Sequence, residues 1–145
     1  MRDYFVGYRQ TKLRKKEFIK EIIIPLKSRN NTLKCYKISK RLDDDISAVF
    51  MAINTEIKNN KFKTIKIVCG GMAAVPKIAK KTETYLKDKK INFDNIAKAK
   101  KIISKEFSPL SDVRSSKNYR TKIASNLLDR FWNEYNKKRV TVYDY

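Results

Sequence analysis

The apolar and polar positions of this chain follow one period in the first half and another in the second. Phe18-Ile19-Lys20-Glu21-Ile22-Ile23-Ile24 is a β-branched run stopped by Pro25, which predicts a strand. The polar, Asn-rich residues Lys27 to Thr32 read as a loop, and Leu33 to Ile38 as a second strand. From Ile46 the pattern becomes alternating. Val49, Met51, Ile53 and Ile57 fall on one face, with Asn54, Glu56 and Lys58 on the other, which is the period of two of a long strand. Asn59-Asn60 signals a tight turn, and the alternation around Ile65, Lys66 and Ile67 is the return strand of a hairpin ending at Gly70-Gly71. Residues 1–16 read as an extended lead-in followed by a basic turn, with Tyr4, Phe5 and Tyr8 as apolar anchors around Gly7 that suit a segment draped over the core.

After the glycines the period turns helical. Pro76 suits a first helical position, and Ile78, Ala79, Thr82, Tyr85 and Leu86 share a face. Asp94 is read as the N-cap of a second helix, with Phe93 as its staple and Ile96, Ala99, Ile103 and Phe107 pointing inward. Pro109 closes that segment. A third helix, about Asn118 to Asn136, carries Ile123, Leu127, Leu128, Phe131, Trp132 and Tyr135 on one stripe, with Ser116 available as its cap. A small antiparallel sheet followed by three amphipathic helices is an α+β domain. Residues 1–136 form this one domain in our reading, and 137–145 a tail without assignment.

Composition narrows the classes. At 145 residues the chain can bury a core without disulfides or metals. With no His and only Cys35 and Cys69, a disulfide framework, a common zinc site and a Ser-His or Cys-His nucleophile pair are excluded. Both cysteines fall in or at the ends of strands and are expected to be buried. No run is apolar enough for a bilayer span, and no signal peptide opens the chain, so a cytoplasmic location without membrane attachment is expected. The formal charge of +20 invites nucleic acid or an acidic protein as partner. Yet 26 of the 35 basic residues are Lys, dispersed along the chain, which is poor material for phosphate and base recognition. A basic binding module for nucleic acid or an acidic protein is therefore the alternative, not the first reading.

No dinucleotide fingerprint or phosphate loop is present, and Gly70-Gly71 reads as a turn needing positive φ. Tyr36 to Val49 joins two strands through a densely charged turn, with Lys40 and Arg41 just before Asp43, Asp44 and Asp45. Such a turn either stabilises itself or presents its charges to another molecule. Consecutive carboxylates diverge and lack EF-hand spacing, so a solvated turn paired with Lys40 and Arg41 outweighs a cation site. Asp112 has Arg114 or Arg120 as ion-pair partner.

Five stretches occur in an order that resembles a known family. They are Phe5-Val6-Gly7-Tyr8-Arg9, the charged turn from Tyr36, Gly70-Gly71-Met72-Ala73-Ala74-Val75-Pro76-Lys77, Phe107-Ser108-Pro109-Leu110-Ser111-Asp112-Val113-Arg114-Ser115-Ser116, and Tyr119-Arg120. Together they look like the C-terminal domain of the flavin-binding subunit of molybdenum hydroxylases of the xanthine dehydrogenase and carbon monoxide dehydrogenase type. The resemblance implies an oxidoreductase in which electrons pass from iron-sulfur clusters through FAD to NAD. It implies that the FAD-binding and iron-sulfur domains and the molybdenum-binding large subunit are partners. It implies that FAD is held mostly by a separate N-terminal domain. By position, Lys37 resembles the flavin-contacting lysine, Ile19 the apolar residue near the isoalloxazine, and the turn with Ser39, Lys40, Arg41 and Asp43 the loop where NAD approaches. No oxidoreductase activity is expected of this chain alone.

Overall fold

The computed structural model describes residues 4–26, 30–41 and 45–138. The first half builds a four-stranded antiparallel sheet, in the order β3-β4-β5-β6. Its strands are β3 (Asn31–Ile38), β4 (Val49–Lys58), β5 (Lys61–Gly70) and β6 (Lys77–Ile78), preceded by a separate two-stranded ribbon of β1 (Phe5–Gly7) and β2 (Gln10–Thr11). Helices α1 (Lys80–Leu86), α2 (Phe93–Glu106) and α3 (Lys117–Tyr135) follow. This is the α+β order read from the periodicities.

The β4–β5 hairpin is the spine. Its turn residues Asn59 and Asn60 both take left-handed φ, 52° and 56°, the pair of values a two-residue hairpin turn needs to match strand twist. Val49, Met51, Ile53 and Thr55 of β4 and Phe62, Ile65, Ile67 and Cys69 of β5 are buried on one face. Against it lie Ile96, Ala99 and Ile103 of α2 and Ala124, Leu127, Leu128 and Phe131 of α3, with the Phe62 and Phe131 rings stacked 6.4 Å apart. Burying side chains of this size removes roughly 1.5–3 kcal/mol of apolar exposure each, so this layer carries most of the favourable free energy.

Five sequence readings are corrected. The helix expected at Pro76 starts at Lys80, because Lys77 and Ile78 pair with Cys69 and Val68 as β6. The start of α1 is capped from outside: the Lys81 and Thr82 N–H groups donate to the Glu106 carboxylate at 2.7 and 3.0 Å. The N-cap of α2 is Asn92, whose Oδ1 accepts from the Asn95 N–H at 3.0 Å; Asp94 lies inside the first turn, where its charge still favours the helix N-terminus. Cys35 is exposed, because it points to the sheet face opposite the helices. The run Phe18 to Ile24 forms no strand, and Tyr4, Phe5 and Tyr8 build the β1–β2 ribbon with Phe5 and Tyr8 exposed, instead of lying over the core. Ser116 does cap α3, accepting from the Tyr119 N–H at 3.2 Å.

Arg120 closes the structure at one end. Its guanidinium is buried, with only 4% of the residue exposed. Nη1 donates to the carbonyls of Ala48, before β4, and Gly71, after β5, the latter at 3.1 Å; Nη2 donates to Asp112 Oδ1 at 2.6 Å. Gly71 makes this approach possible: at φ +76° a Cβ would run into the Ala48 carbonyl and sit 2.9 Å from Arg120 Nη1.

Gly71→Ala is therefore expected to cost roughly 2–4 kcal/mol, combining a strained positive φ with displacement of the guanidinium, measured as a lower urea midpoint. Burial raises the Asp112 carboxyl, but hydrogen bonds from Arg120, Arg114 and Ser115 outweigh this and hold it below the ordinary carboxylate range. A carboxyl lowered in the folded state contributes fully above its unfolded value of about 4 and loses that contribution as pH falls through the folded value. Asp112→Asn should thus lower Tm at pH 7, and the gap to the parent protein should close on acidification toward pH 2.5; a gap independent of pH would contradict this.

Candidate functional site

The helices cover one face of the sheet and leave the other free of them. Side chains directly opposite on neighbouring strands share a face, so the register defines the free one. Cys35 lies opposite Ala52, which lies opposite Val68, itself opposite Ile78; Lys37 lies opposite Phe50, and Phe50 opposite Gly70. Leu33 and Phe50 are exposed, and Ala52 and Val68 half-buried. The result is an apolar floor with one cation, Lys37, at its end. Among the described residues no carboxylate pairs with that amine.

Tyr36 explains why Lys37 faces this way. Its ring is buried under the helices with the Arg130 guanidinium 5.1 Å from its centre, and its hydroxyl donates to Glu134 Oε2 at 3.2 Å. Burial and the neighbouring Glu134 charge push the Tyr36 phenol well above its ordinary value. With Tyr36 pinned inward, the pleat sends Lys37 and Cys35 outward.

Beyond β3 the charged turn closes on itself and on the loop before α3. The Ala48 N–H donates to the Ile38 carbonyl at 2.8 Å across its base. Ser39 Oγ donates to the Arg41 carbonyl at 2.6 Å, and the Arg41 N–H donates to Asp45 Oδ2 at 3.1 Å, while the Arg41 guanidinium lies 3.7 Å from Oδ1. The Arg41 backbone bond, more than its charge, holds the Asp45 carboxyl below its usual range. Lys40 Nζ reaches 2.8 Å to the Val113 carbonyl. Between turn and loop lies a cleft of about 410 Å³, with Ser39, Lys40, Asp112, Ser115, Ser116 and Tyr119 on its walls.

Lys37, Ser39, Lys40 and Arg41 are thus contiguous at one end of the sheet. Asp43 lies outside the described residues. Ile19 sits in a stretch without secondary structure, and no hydrogen bond or strand pairing joins it to Lys37. The free-face residues Cys35, Phe50 and Val68 were missed in the sequence because alternation identifies two faces without saying which one the helices take. For residues 112–116 the sequence offered an Asp112 ion pair and a Ser116 cap, and not the cleft that they line.

Residues 34–135 match the family described as the CO dehydrogenase flavoprotein C-terminal domain. The chain belongs to this family. Nicotinate hydroxylase of Emericella nidulans is 31% identical over an alignment that takes in 99% of this chain and 11% of the relative. Xanthine dehydrogenase of the same organism is 37% identical over 62% of this chain and 7% of the relative. A crystal structure of a Cu,Mo-CO dehydrogenase matches 89% of this chain and 45% of the compared chain, at 25% identity and a TM-score of 0.80. Quinoline 2-oxidoreductase from Pseudomonas putida 86 shares the fold, with a TM-score of 0.73. The chain therefore spans about a tenth of the length of the curated relatives and under half of the solved chain. The family likeness read from the sequence and its α+β architecture are borne out, and the relatives are oxidoreductases. No helix among the described residues is long and apolar enough to cross a membrane.

This flavoprotein domain carries two thiols in opposite environments. Burial pushes the Cys69 thiol up to about 12, while Cys35 is exposed on the free face. One thiol should react with an aromatic disulfide reagent at pH 8 in the native protein, and the second only after unfolding; Cys35→Ser should abolish the fast phase.

Proposed function

We propose that this chain is the part of a xanthine dehydrogenase-like flavoprotein that packs on its FAD-binding unit and supplies flavin-edge contacts. The observation that carries the reading is the free sheet face: an apolar floor of Cys35, Phe50, Ala52 and Val68 with the Lys37 amine, which has no carboxylate partner among the described residues, at its end, in a chain whose residues 34–135 match the flavoprotein family. A flat ring system bearing negative charge asks for both features, and Gly70 opposite Phe50 leaves its rim open. Lys37 would hold negative charge on the isoalloxazine or on a phosphate, and Ile19 would cover the ring from the preceding segment. Bound flavin would supply electron transfer between iron-sulfur clusters and NAD. The turn with Ser39, Lys40, Arg41 and Asp43 would border the side from which NAD approaches, its charge balance setting how readily an anionic dinucleotide enters. The FAD-binding and iron-sulfur domains and a molybdenum-binding large subunit are the partners in this reading, and the chain alone carries no activity.

The test is a complex of this chain with the flavin-binding unit of its own flavoprotein. Lys37→Met is expected to weaken FAD binding about tenfold and to lower the two-electron potential by about 30 mV, the equivalent of about 1.4 kcal/mol. Lys98→Met, on the exposed face of α2, is the control and should change neither. Identical values for the two variants would remove Lys37 from the flavin contacts.

A further inference from the structure

At the tip of the β4–β5 hairpin three parts of the chain are tied into one surface. The Phe62 N–H donates to the Lys89 carbonyl at 3.0 Å, the Asp88 N–H to the Phe62 carbonyl at 2.8 Å and the Ile91 N–H to the Asn60 carbonyl at 2.9 Å. Lys61 and Lys90 thus pair as a short bridge between the hairpin and the connection from α1 to α2. The end of α3 closes on the same place, where Tyr135 Oη donates to Asn60 Oδ1 at 3.3 Å. Trp132 of α3 and Phe93 at the start of α2 have ring centres 5.8 Å apart, with their planes at 60°. Phe93 is 63% exposed and Tyr135 40%.

Around these rings stand Lys58, Lys61, Lys89, Lys90, Lys137 and Lys138, all exposed. Lys138 Nζ lies 5.8 Å from the centre of the Trp132 ring, and Lys89 Nζ 5.9 Å from that of Tyr85. Among the described residues no carboxylate pairs with any of these lysines. The ion pairs that do form engage Asp45, Glu83, Asp112, Asp129 and Glu134 with other cations. Asp88 and Asp94 adjoin the surface, and neither belongs to an ion pair among the described residues. Lysines scattered along the sequence are therefore gathered by the fold around exposed aromatic rings.

An aromatic centre with a charged rim is the anatomy of a recognition surface: the rings supply contact energy, and the rim steers a partner of opposite charge. Two features select a protein segment over a nucleic acid strand. The Phe93 and Trp132 rings are tilted and Lys138 lies over Trp132, so no row of parallel faces is open for successive bases. The rim is made of Lys, without the planar Arg fork that grips phosphates and stacks on bases. We propose that this end of the molecule binds an acidic protein segment with an apolar side chain at its centre. Its carboxylates meet Lys61, Lys89 and Lys90, and the apolar side chain packs on Phe93 and Trp132. The surface is distinct from the flavin-edge site: from Phe50, opposite Lys37, to Lys58 the strand runs about 26 Å.

The test titrates a labelled peptide of about 12 residues, Trp-Leu at its centre and Glu on both sides, with this chain. Binding is expected at about 0.05 M salt and should weaken about tenfold by about 0.3 M. Phe93→Ala should weaken it about tenfold at either salt concentration, and Phe93→Leu only about twofold. Lys89→Glu with Lys90→Glu should weaken it about 30-fold at low salt and flatten the salt dependence. Lys77→Glu with Lys101→Glu, on β6 and further along α2, changes the net charge equally and should weaken binding no more than about threefold. All these side chains are exposed, so each variant should keep the parent Tm within about 2 °C. Equal weakening by the two lysine pairs, or full affinity in Phe93→Ala, overturns the proposal, because the peptide then reads overall charge. No binding at low salt overturns it as well. An oligothymidylate of the same length that binds more tightly than the peptide, and loses affinity in Phe93→Ala, assigns the surface to single-stranded nucleic acid and also overturns it.

Discussion

The structure depends on one buried cation. The chain has 35 basic residues, and Arg120 is the one buried cation among the described residues; taken out of water, it must recover its hydration from fixed partners. It does so by joining three places far apart in sequence: Ala48 before β4, Gly71 after β5 and Asp112 ahead of α3. That clasp aligns the end of the sheet with the start of the third helix. It also sets the loop at 112–116 against the turn that carries Ser39 and Lys40, the two walls of the cleft, through Nη1 and Nη2, while the buried Nε has no partner among the described residues. Gly71 is part of the same device, since a side chain there would occupy the space of the bond.

The two faces of the sheet divide the work. One is filled by α2 and α3 and supplies the hydrophobic free energy that lets a chain of this size fold without cross-links. The other keeps Cys35, Phe50, Ala52 and Val68 at its surface, with Lys37 at the end. Tyr36 connects the two roles: by burying its ring and bonding Glu134 it locks the strand so that its neighbours on either side face outward. A position that reads as a core tyrosine is thus what aims the candidate flavin-facing lysine.

Much of this was legible in the sequence because it depends on short range. The tight turn at Asn59-Asn60, the Ser116 cap, the alternation through Val49, Met51 and Ile53, the positive φ at Gly71 and the pairing of Asp112 with Arg114 or Arg120, both of which it meets, follow from side-chain chemistry within a few residues or from a single periodicity. The readings that failed have one feature in common. Pro76 suits a helix start, but a pairing with β5 and a carboxylate on α2 moved that start to Lys80. Phe18 to Ile24 suits a strand, but a strand is defined by its neighbour, and among the described residues none pairs with it.

The residues by themselves therefore determined the α+β order, the turn geometries and the family to which the domain belongs, since propensity, periodicity and motif order are properties of the chain. Only the folded structure decided which sheet face the helices cover, and with it the outward direction of Lys37 and Cys35. It also decided that Arg120 is the buried cation among the described residues, and that Lys40 meets Val113 across a cleft. Those outcomes depend on which distant surfaces meet, and a periodicity of two is symmetric between the faces until a helix settles on one of them.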